Sequence, residues 1–232
     1  MLAENLKSEW EGSYSNRDNY VFYPHEEVIR FVSKYIRKRV DLNQFSDVTR
    51  GTPGRVLDLG CGIGRHVMFC CDMGLEAFGV DLSETAIDTA IEWAGARGAK
   101  ELIPRLVQSD ARKLKWDSGF FQYAISHGVL DSMPLTLART VTAELARVLD
   151  AGGLFYCDLV SGDDSRHARE FSGEETVATA HEKGTVQLYF NMTLIHSLFD
   201  DFFDILECNL IRRENVVSGG YFARYHLVLK KI

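Results

Sequence analysis

Val56-Leu57-Asp58-Leu59-Gly60-Cys61-Gly62-Ile63-Gly64-Arg65 decides how this chain reads. A short apolar run passes through three glycines at alternate positions into a helical stretch. Strand, glycine-rich turn and helix in that order form the ligand-cradling corner of an open α/β sheet. Glycine at 60, 62 and 64 lets the backbone turn tightly and lets a ligand approach it closely. The spacing is G-x-G-x-G, whereas the dinucleotide fingerprint G-x-G-x-x-G needs its third glycine where Arg65 stands. Asp58, two residues before the first glycine, directs an acid from the strand end toward the turn. That suits a cationic ligand group better than a pyrophosphate. A tight turn with no ligand is the alternative, and Asp58 weighs against it.

Outward from this segment, short β-rich apolar runs alternate with helical stretches. The runs are 56–59, 77–80, 105–108, 121–126 and 154–160, and the helices are 64–72, 84–97 and 134–149. Such alternation predicts βαβ units, a parallel sheet and right-handed crossovers. The first strands are continuously apolar, as expected when helices cover both faces. Residues 202–211 and 221–229 are two further runs joined by a short turn at Ser218, Gly219 and Gly220, which demands antiparallel pairing. Asn191 reads as the N-cap of a short helix reaching Phe199.

The chain divides into a helical N-terminal cap or lid (1–50), a ligand-binding core (51–160), a variable polar segment (161–190), and a helix with a C-terminal hairpin (191–232). The first 23 residues are aromatic without a clean period. Trp10, Tyr14, Tyr20 and Tyr23 either fold over the site or pack on the sheet edge. Pro24 opens a helix whose C-terminal turn would carry Arg37, Lys38 and Arg39, where cations suit the helix dipole.

The composition fits one soluble domain: 232 residues, 46% hydrophobic and 25% charged. The net charge of −7 disfavours nucleic acid as a partner. No apolar run is long enough to span a membrane, and the first residues lack a signal-peptide core, so a cytoplasmic location is expected. Cys61, Cys70, Cys71, Cys157 and Cys208 are odd in number and form no CxxC pair. They read as reduced, apolar-run cysteines, with no metal site.

Two more strand ends carry acids. Asp81, 21 residues after Gly60, stands where such sheets place the carboxylate that accepts ribose hydroxyls. Asp81 or Ser83 also serves as a helix N-cap. Asp110, in Gln108-Ser109-Asp110-Ala111, is placed to accept from the exocyclic amine of a base, although Ser-Asp is also ordinary turn chemistry.

Together these segments resemble the class I S-adenosylmethionine-dependent methyltransferases. Asp58 to Gly64 resembles the family's first motif, Asp81 its acidic second motif and Asp110 its third. Residues 121–127 resemble the fourth strand, and 144–153 the helix and Gly-Gly turn before the fifth. The resemblance is strong over about residues 50–160. It implies a Rossmann-like, seven-stranded, mostly parallel α/β sheet in the order 3-2-1-4-5-7-6, with strand seven antiparallel and helices on both faces. It implies S-adenosyl-L-methionine as cofactor and S-adenosyl-L-homocysteine as product. Cofactor contacts would come from Asp58, Gly60, Cys61, Gly62 and Gly64 of the turn, from Asp81 and Leu82, from Asp110 and Ala111, and from Ser126 and His127.

Methyl transfer from a sulfonium is an in-line displacement, so proximity and orientation are the main catalytic effect. His127 is a candidate base near neutral pH, or a cofactor contact without proton transfer. Asp131 lines the acceptor pocket or caps the helix near Pro134. Tyr14, Tyr23, His181, Tyr189 and Arg224 are acceptor-side candidates, and a solvated surface role is the alternative for each. The expected partner is a small-molecule acceptor, with the chain a monomer or homodimer. A methyltransferase acting on protein or RNA, a nicotinamide-dependent oxidoreductase and a non-catalytic binding protein are the rival readings.

Overall fold

The computed structural model describes residues 2–48, 54–167, 170–178 and 184–232. Its centre is a seven-stranded sheet. In chain order its strands are β3 (Arg55–Leu59), β4 (Glu76–Asp81), β5 (Leu106–Gln108), β6 (Phe121–Ser126), β7 (Leu149–Val160), β10 (Phe203–Glu214) and β11 (Tyr221–Lys231). Across the sheet they run β10-β11-β7-β6-β3-β4-β5. That is the order the sequence resemblance implied. The last strand inserts between β7 and β10 and is antiparallel to both.

Burial on both faces explains the apolar runs. Successive residues of β3 point to opposite sides: Leu57 joins the core beneath α5 (Leu135–Val148) and α6 (Met192–Phe199), with Phe155, Phe199 and Leu227. Val56 joins the opposite core, with Ile125, Tyr156 and Val228, against α2 (Glu26–Phe31), α3 (Arg65–Asp72) and α4 (Glu84–Ala96). A strand covered on both sides has no polar face to alternate with. Asn191 caps α6 as expected, its side-chain oxygen accepting from Leu194 N at 2.9 Å.

The N-terminal region departs from the sequence expectation in two places. A helix, α1 (Leu2–Ser15), occupies much of the stretch that showed no clean period. Arg37, Lys38 and Arg39 do not end a helix. After α2 the chain makes one π-helical segment, Val32–Ile36, and then enters β1 (Arg37–Asp41), which pairs with β2 (Gln44–Asp47). The cations nevertheless serve a helix C-terminus, that of α3. Arg37 donates to the carbonyls of Met73 and Gly74, and Arg39 to that of Asp72. Both guanidinium groups also lie over the Phe45 ring, and Arg37 pairs with Asp47 at 2.5 Å. These contacts anchor the strand conformation to the adjoining helix.

The described part of the polar segment after β7 carries local structure. It contains a hairpin, β8 (Gly173–Thr176) with β9 (Val186–Tyr189). No helix of the described residues is long and apolar enough to cross a membrane.

Candidate active site

The parallel register sets the site. Leu59 lies level with Val80 on one side and Ser126 on the other, so β3, β4 and β6 end together. The chain leaving β3 turns at once, because Gly60 N and Cys61 N both donate to Val80 O, at 2.8 and 2.9 Å. Gly62 adopts φ +53°, and a Cβ there would lie 2.4 Å from the Tyr14 hydroxyl oxygen. A Cβ on Gly60 would lie 2.4 Å from Val129 Cγ2. Neither position has room for a side chain, and both open onto the same cavity.

That cavity has a volume of about 320 Å³. It runs along the carboxyl ends of β6, β3, β4 and β5, where open α/β sheets bind ligands. Gly60, Cys61 and Gly62 form its floor with Asp81 and Leu82, and Asp110 and Ala111 extend it beyond β5. Val129, Met133, Leu137 and Val141 form an apolar wall, and His66 and His127 lie at the other end. Trp10 and Tyr14 of α1 line it from above. α1 is fastened by Glu11, whose carboxylate accepts from Glu84 N at 2.9 Å and Thr85 N at 3.1 Å, the free amides that open α4, and from the Thr85 hydroxyl.

Asp81 is buried. Its two oxygens accept from Gly62 N at 2.8 Å and Ser83 N at 2.9 Å. The helix cap belongs to Ser83, whose hydroxyl accepts from Ala86 N. Burial pushes the Asp81 carboxyl up to about 6, against the two amides that favour its charge. Asp110 lines the cavity while both its oxygens engage Arg112, which holds its carboxyl down. Asp58, Gly64 and Ser126 support the cavity from behind rather than line it. Asp58 is buried 3.7 Å from His66 Nδ1, with Oδ2 unpartnered. Gly64 caps α3 in the left-handed region, and the Ser126 hydroxyl is buried without a partner.

His127 stands in a group of imidazoles whose tautomers follow from donor logic. Arg65 donates to His127 Nδ1 at 3.1 Å, and a guanidinium has only donors, so Nδ1 carries the lone pair and Nε2 the proton. Nε2 then faces Asp158 Oδ2 at 3.4 Å. Glu27 N donates to His25 Nδ1, and His25 N donates to His66 Nε2. The His25 ring lies 4.3 Å from that of His127 and 5.5 Å from that of His226, centroid to centroid. His226 shares a 2.8 Å hydrogen bond with the Tyr156 hydroxyl. Burial drives His127 down to about 3, so its ring is neutral at pH 7, and burial also lowers His25 and His226.

Asp131 and Arg224 belong to the support of this group. Arg224 donates to Asp158 at 2.7 Å and to Asp131 at 2.6 Å, and Asp131 also accepts from Val160 N. Asp131 therefore neither lines the cavity nor caps α5, whose Leu135 N donates to Glu174 instead. Burial favours the neutral form of both acids. Arg224 and His127 outweigh it at Asp158, which is held well below the carboxylate range, while Asp131 rises to about 6. Tyr23 is 81% exposed, away from the cavity. Tyr189 is buried against Arg166 and the His167 ring. His181 lies outside the described residues.

Sequence reading missed Arg65, His66, Asp158 and His25 as site residues. Asp158 left a signal, an acid inside the buried β7. In the sequence, Arg65 shows only that the third glycine of a dinucleotide fingerprint is missing.

The residues present fit an adenosyl ligand carrying a sulfonium. The glycine floor admits close approach, Asp81 offers a buried carboxylate at the β4 end, and an apolar wall faces both. A family described as the methyltransferase domain matches residues 56–153. An uncharacterised methyltransferase of Schizosaccharomyces pombe is 24% identical over 132 residues, 57% of this chain and 89% of the relative. A solved S-adenosylmethionine-dependent methyltransferase from Methanosarcina mazei superposes with a TM-score of 0.62 at 19% identity, covering 78% of this chain and 94% of that one. The Burkholderia thailandensis 1,6-didemethyltoxoflavin-N1-methyltransferase, solved with 1,6-didemethyltoxoflavin and S-adenosylhomocysteine, superposes with a TM-score of 0.71 at 17% identity, covering 97% and 87%. Over residues 56–153 the chain thus matches the methyltransferase-domain family, and its fold is the one these solved methyltransferases share.

Proposed function

We propose that the protein transfers the methyl group of S-adenosylmethionine to a small-molecule acceptor in this cavity. The observation that carries the reading is the cavity itself, of small-ligand size, spanning the glycine turn and the Asp81 strand end. The ligand of the Burkholderia relative and the acidic net charge support a small acceptor over a nucleic acid.

The cofactor, when bound, supplies a sulfonium-activated methyl group, and the protein's own groups supply placement. The backbone at Gly60 and Gly62 admits close approach, and the Asp81 carboxylate is positioned for the ribose hydroxyls. Val129, Met133, Leu137 and Val141 exclude water from one wall, while Trp10 and Tyr14 close the top. Orientation of this kind contributes several kcal/mol of barrier lowering, of order 7–11 in favourable cases. His127, with Nδ1 on Arg65 and its Nε2 proton toward Asp158, forms the wall at the β6 end.

The test is incubation with methyl-labelled S-adenosylmethionine and a cell extract split by ultrafiltration. Label in the low-mass fraction is the expected result. Label retained on protein or RNA would contradict the acceptor class, and no labelled product in either fraction would contradict the activity.

A further inference from the structure

Two cations line the cavity among the described residues, Arg65 and Arg112. Arg112 is neutralised by Asp110, with nitrogen–oxygen distances of 2.5 to 3.0 Å. Arg65 has no carboxylate within ion-pair distance, and its side-chain hydrogen bond goes to a neutral imidazole nitrogen. Asp58 and Asp158 act on it only from farther away, and burial lowers its pKa. A partly buried guanidinium facing a ligand cavity without a counter-ion is a costly arrangement unless the ligand brings an anion. Its position says which anion. The strand ends run β6, β3, β4, β5, so a ligand whose ribose meets Asp81 and whose base extends toward Asp110 directs its other end toward Arg65 and His127. On S-adenosylmethionine that end is the amino-acid tail.

We propose that Arg65 receives the α-carboxylate of this tail, and that in turning to it Arg65 releases Nδ1 of His127 to accept the proton of an acceptor N–H or O–H group. The inference rests on the proposed function and deepens it. In the arrangement described, His127 has no free lone pair, because Arg65 occupies Nδ1 and Nε2 bears the proton. A carboxylate on Arg65 frees Nδ1 by drawing the donor away, and it cancels a positive charge that adds to burial in opposing protonation of the ring. The step then balances. The acceptor atom forms a bond to the methyl carbon as the carbon–sulfur bond breaks, its electron pair remaining on sulfur. The acceptor proton moves to Nδ1, and the imidazolium so formed faces Asp158 through Nε2. Water takes the proton after product leaves. Proton acceptance thus becomes available only when the cofactor is seated.

The experiment compares S-adenosylhomocysteine with 5′-deoxy-5′-methylthioadenosine, which keeps the nucleoside and thioether but lacks the amino-acid tail. Both are titrated calorimetrically into the wild type, Arg65→Gln and Arg65→Lys, with circular dichroism confirming each fold. Arg65→Gln should weaken S-adenosylhomocysteine about 10- to 100-fold, the loss of one charge-assisted contact, and change the tail-less ligand by less than about twofold. Arg65→Lys should recover part of the loss. In wild type, S-adenosylhomocysteine should shift the nitrogen resonance of His127 Nδ1, and the tail-less ligand should not. Equal losses for the two ligands, or no loss, would overturn the Arg65 assignment while wild-type binding upholds the proposed function. An unmoved Nδ1 resonance would overturn the release of His127. A wild type that binds neither ligand would overturn the proposed function itself.

Discussion

Gly62→Ala is the substitution that best separates a ligand-forming turn from an ordinary one. Two costs can be read from the structure. The backbone at φ +53° is left-handed, which costs an L-residue about 1–2 kcal/mol. The new Cβ would also lie 2.4 Å from the Tyr14 hydroxyl, a contact that forces Tyr14 to move. Overpacking of this kind costs about 1–3 kcal/mol. The sum is about 2–5 kcal/mol, and a chain of this length loses about 2–4 °C per kcal/mol. Tyr14→Phe removes the clashing oxygen and leaves Tyr14 Cζ as the nearest atom, at 3.3 Å. In that background the alanine should cost only its backbone strain, about 1–2 kcal/mol. Thermal denaturation of the four proteins in the cycle gives the coupling, expected at about 1–3 kcal/mol. Costs that add to within about 0.5 kcal/mol would show that Tyr14 does not press on the turn.

With Asp81 holding the ribose as proposed, affinity for S-adenosylhomocysteine should fall as pH drops through about 6, because its carboxylate, raised by burial, accepts two hydroxyls only when ionised. At pH 5, one unit below, about a tenth of it remains ionised, so calorimetry should read roughly tenfold weaker binding than at pH 7.5. The sign for stability is opposite: a carboxyl raised in the fold contributes below its unfolded value near 4 and loses that contribution as pH rises through about 6. Arg224→Leu should destabilise by about 3–5 kcal/mol in urea unfolding, since it leaves Asp131 and Asp158 buried without their cation. Asn191→Ala removes the N-cap of α6 and should cost about 1 kcal/mol in the same assay, without altering ligand affinity.

The sheet was legible because its strands are buried on both faces, so β3, β4 and β6 announce themselves as apolar runs whatever the helices do. The turn was legible because Gly60 and Gly62 face a cavity that no side chain could share. The N-terminal region was harder for a physical reason. Arg37 and Arg39 suit a helix C-terminus equally well from within or from a neighbouring strand, and only tertiary contact with α3 decides. The imidazole group was hidden for the same reason. His25, His66, His127 and His226 lie on four separate elements or loops, far apart in sequence, and only the packing of α2 against the sheet brings them together. Arg224 reads from sequence as an acceptor-side or solvated residue, because its two buried acids, Asp131 and Asp158, come from distant loops and strands.

The most direct test of the central claim is calorimetric titration of the purified protein with S-adenosylmethionine, S-adenosylhomocysteine and, as control, NADH. The structure leads to one-to-one binding of both adenosyl ligands at micromolar concentration and none of NADH. Binding of NADH with no response to either adenosyl ligand would contradict the assignment of this cavity to methyl transfer.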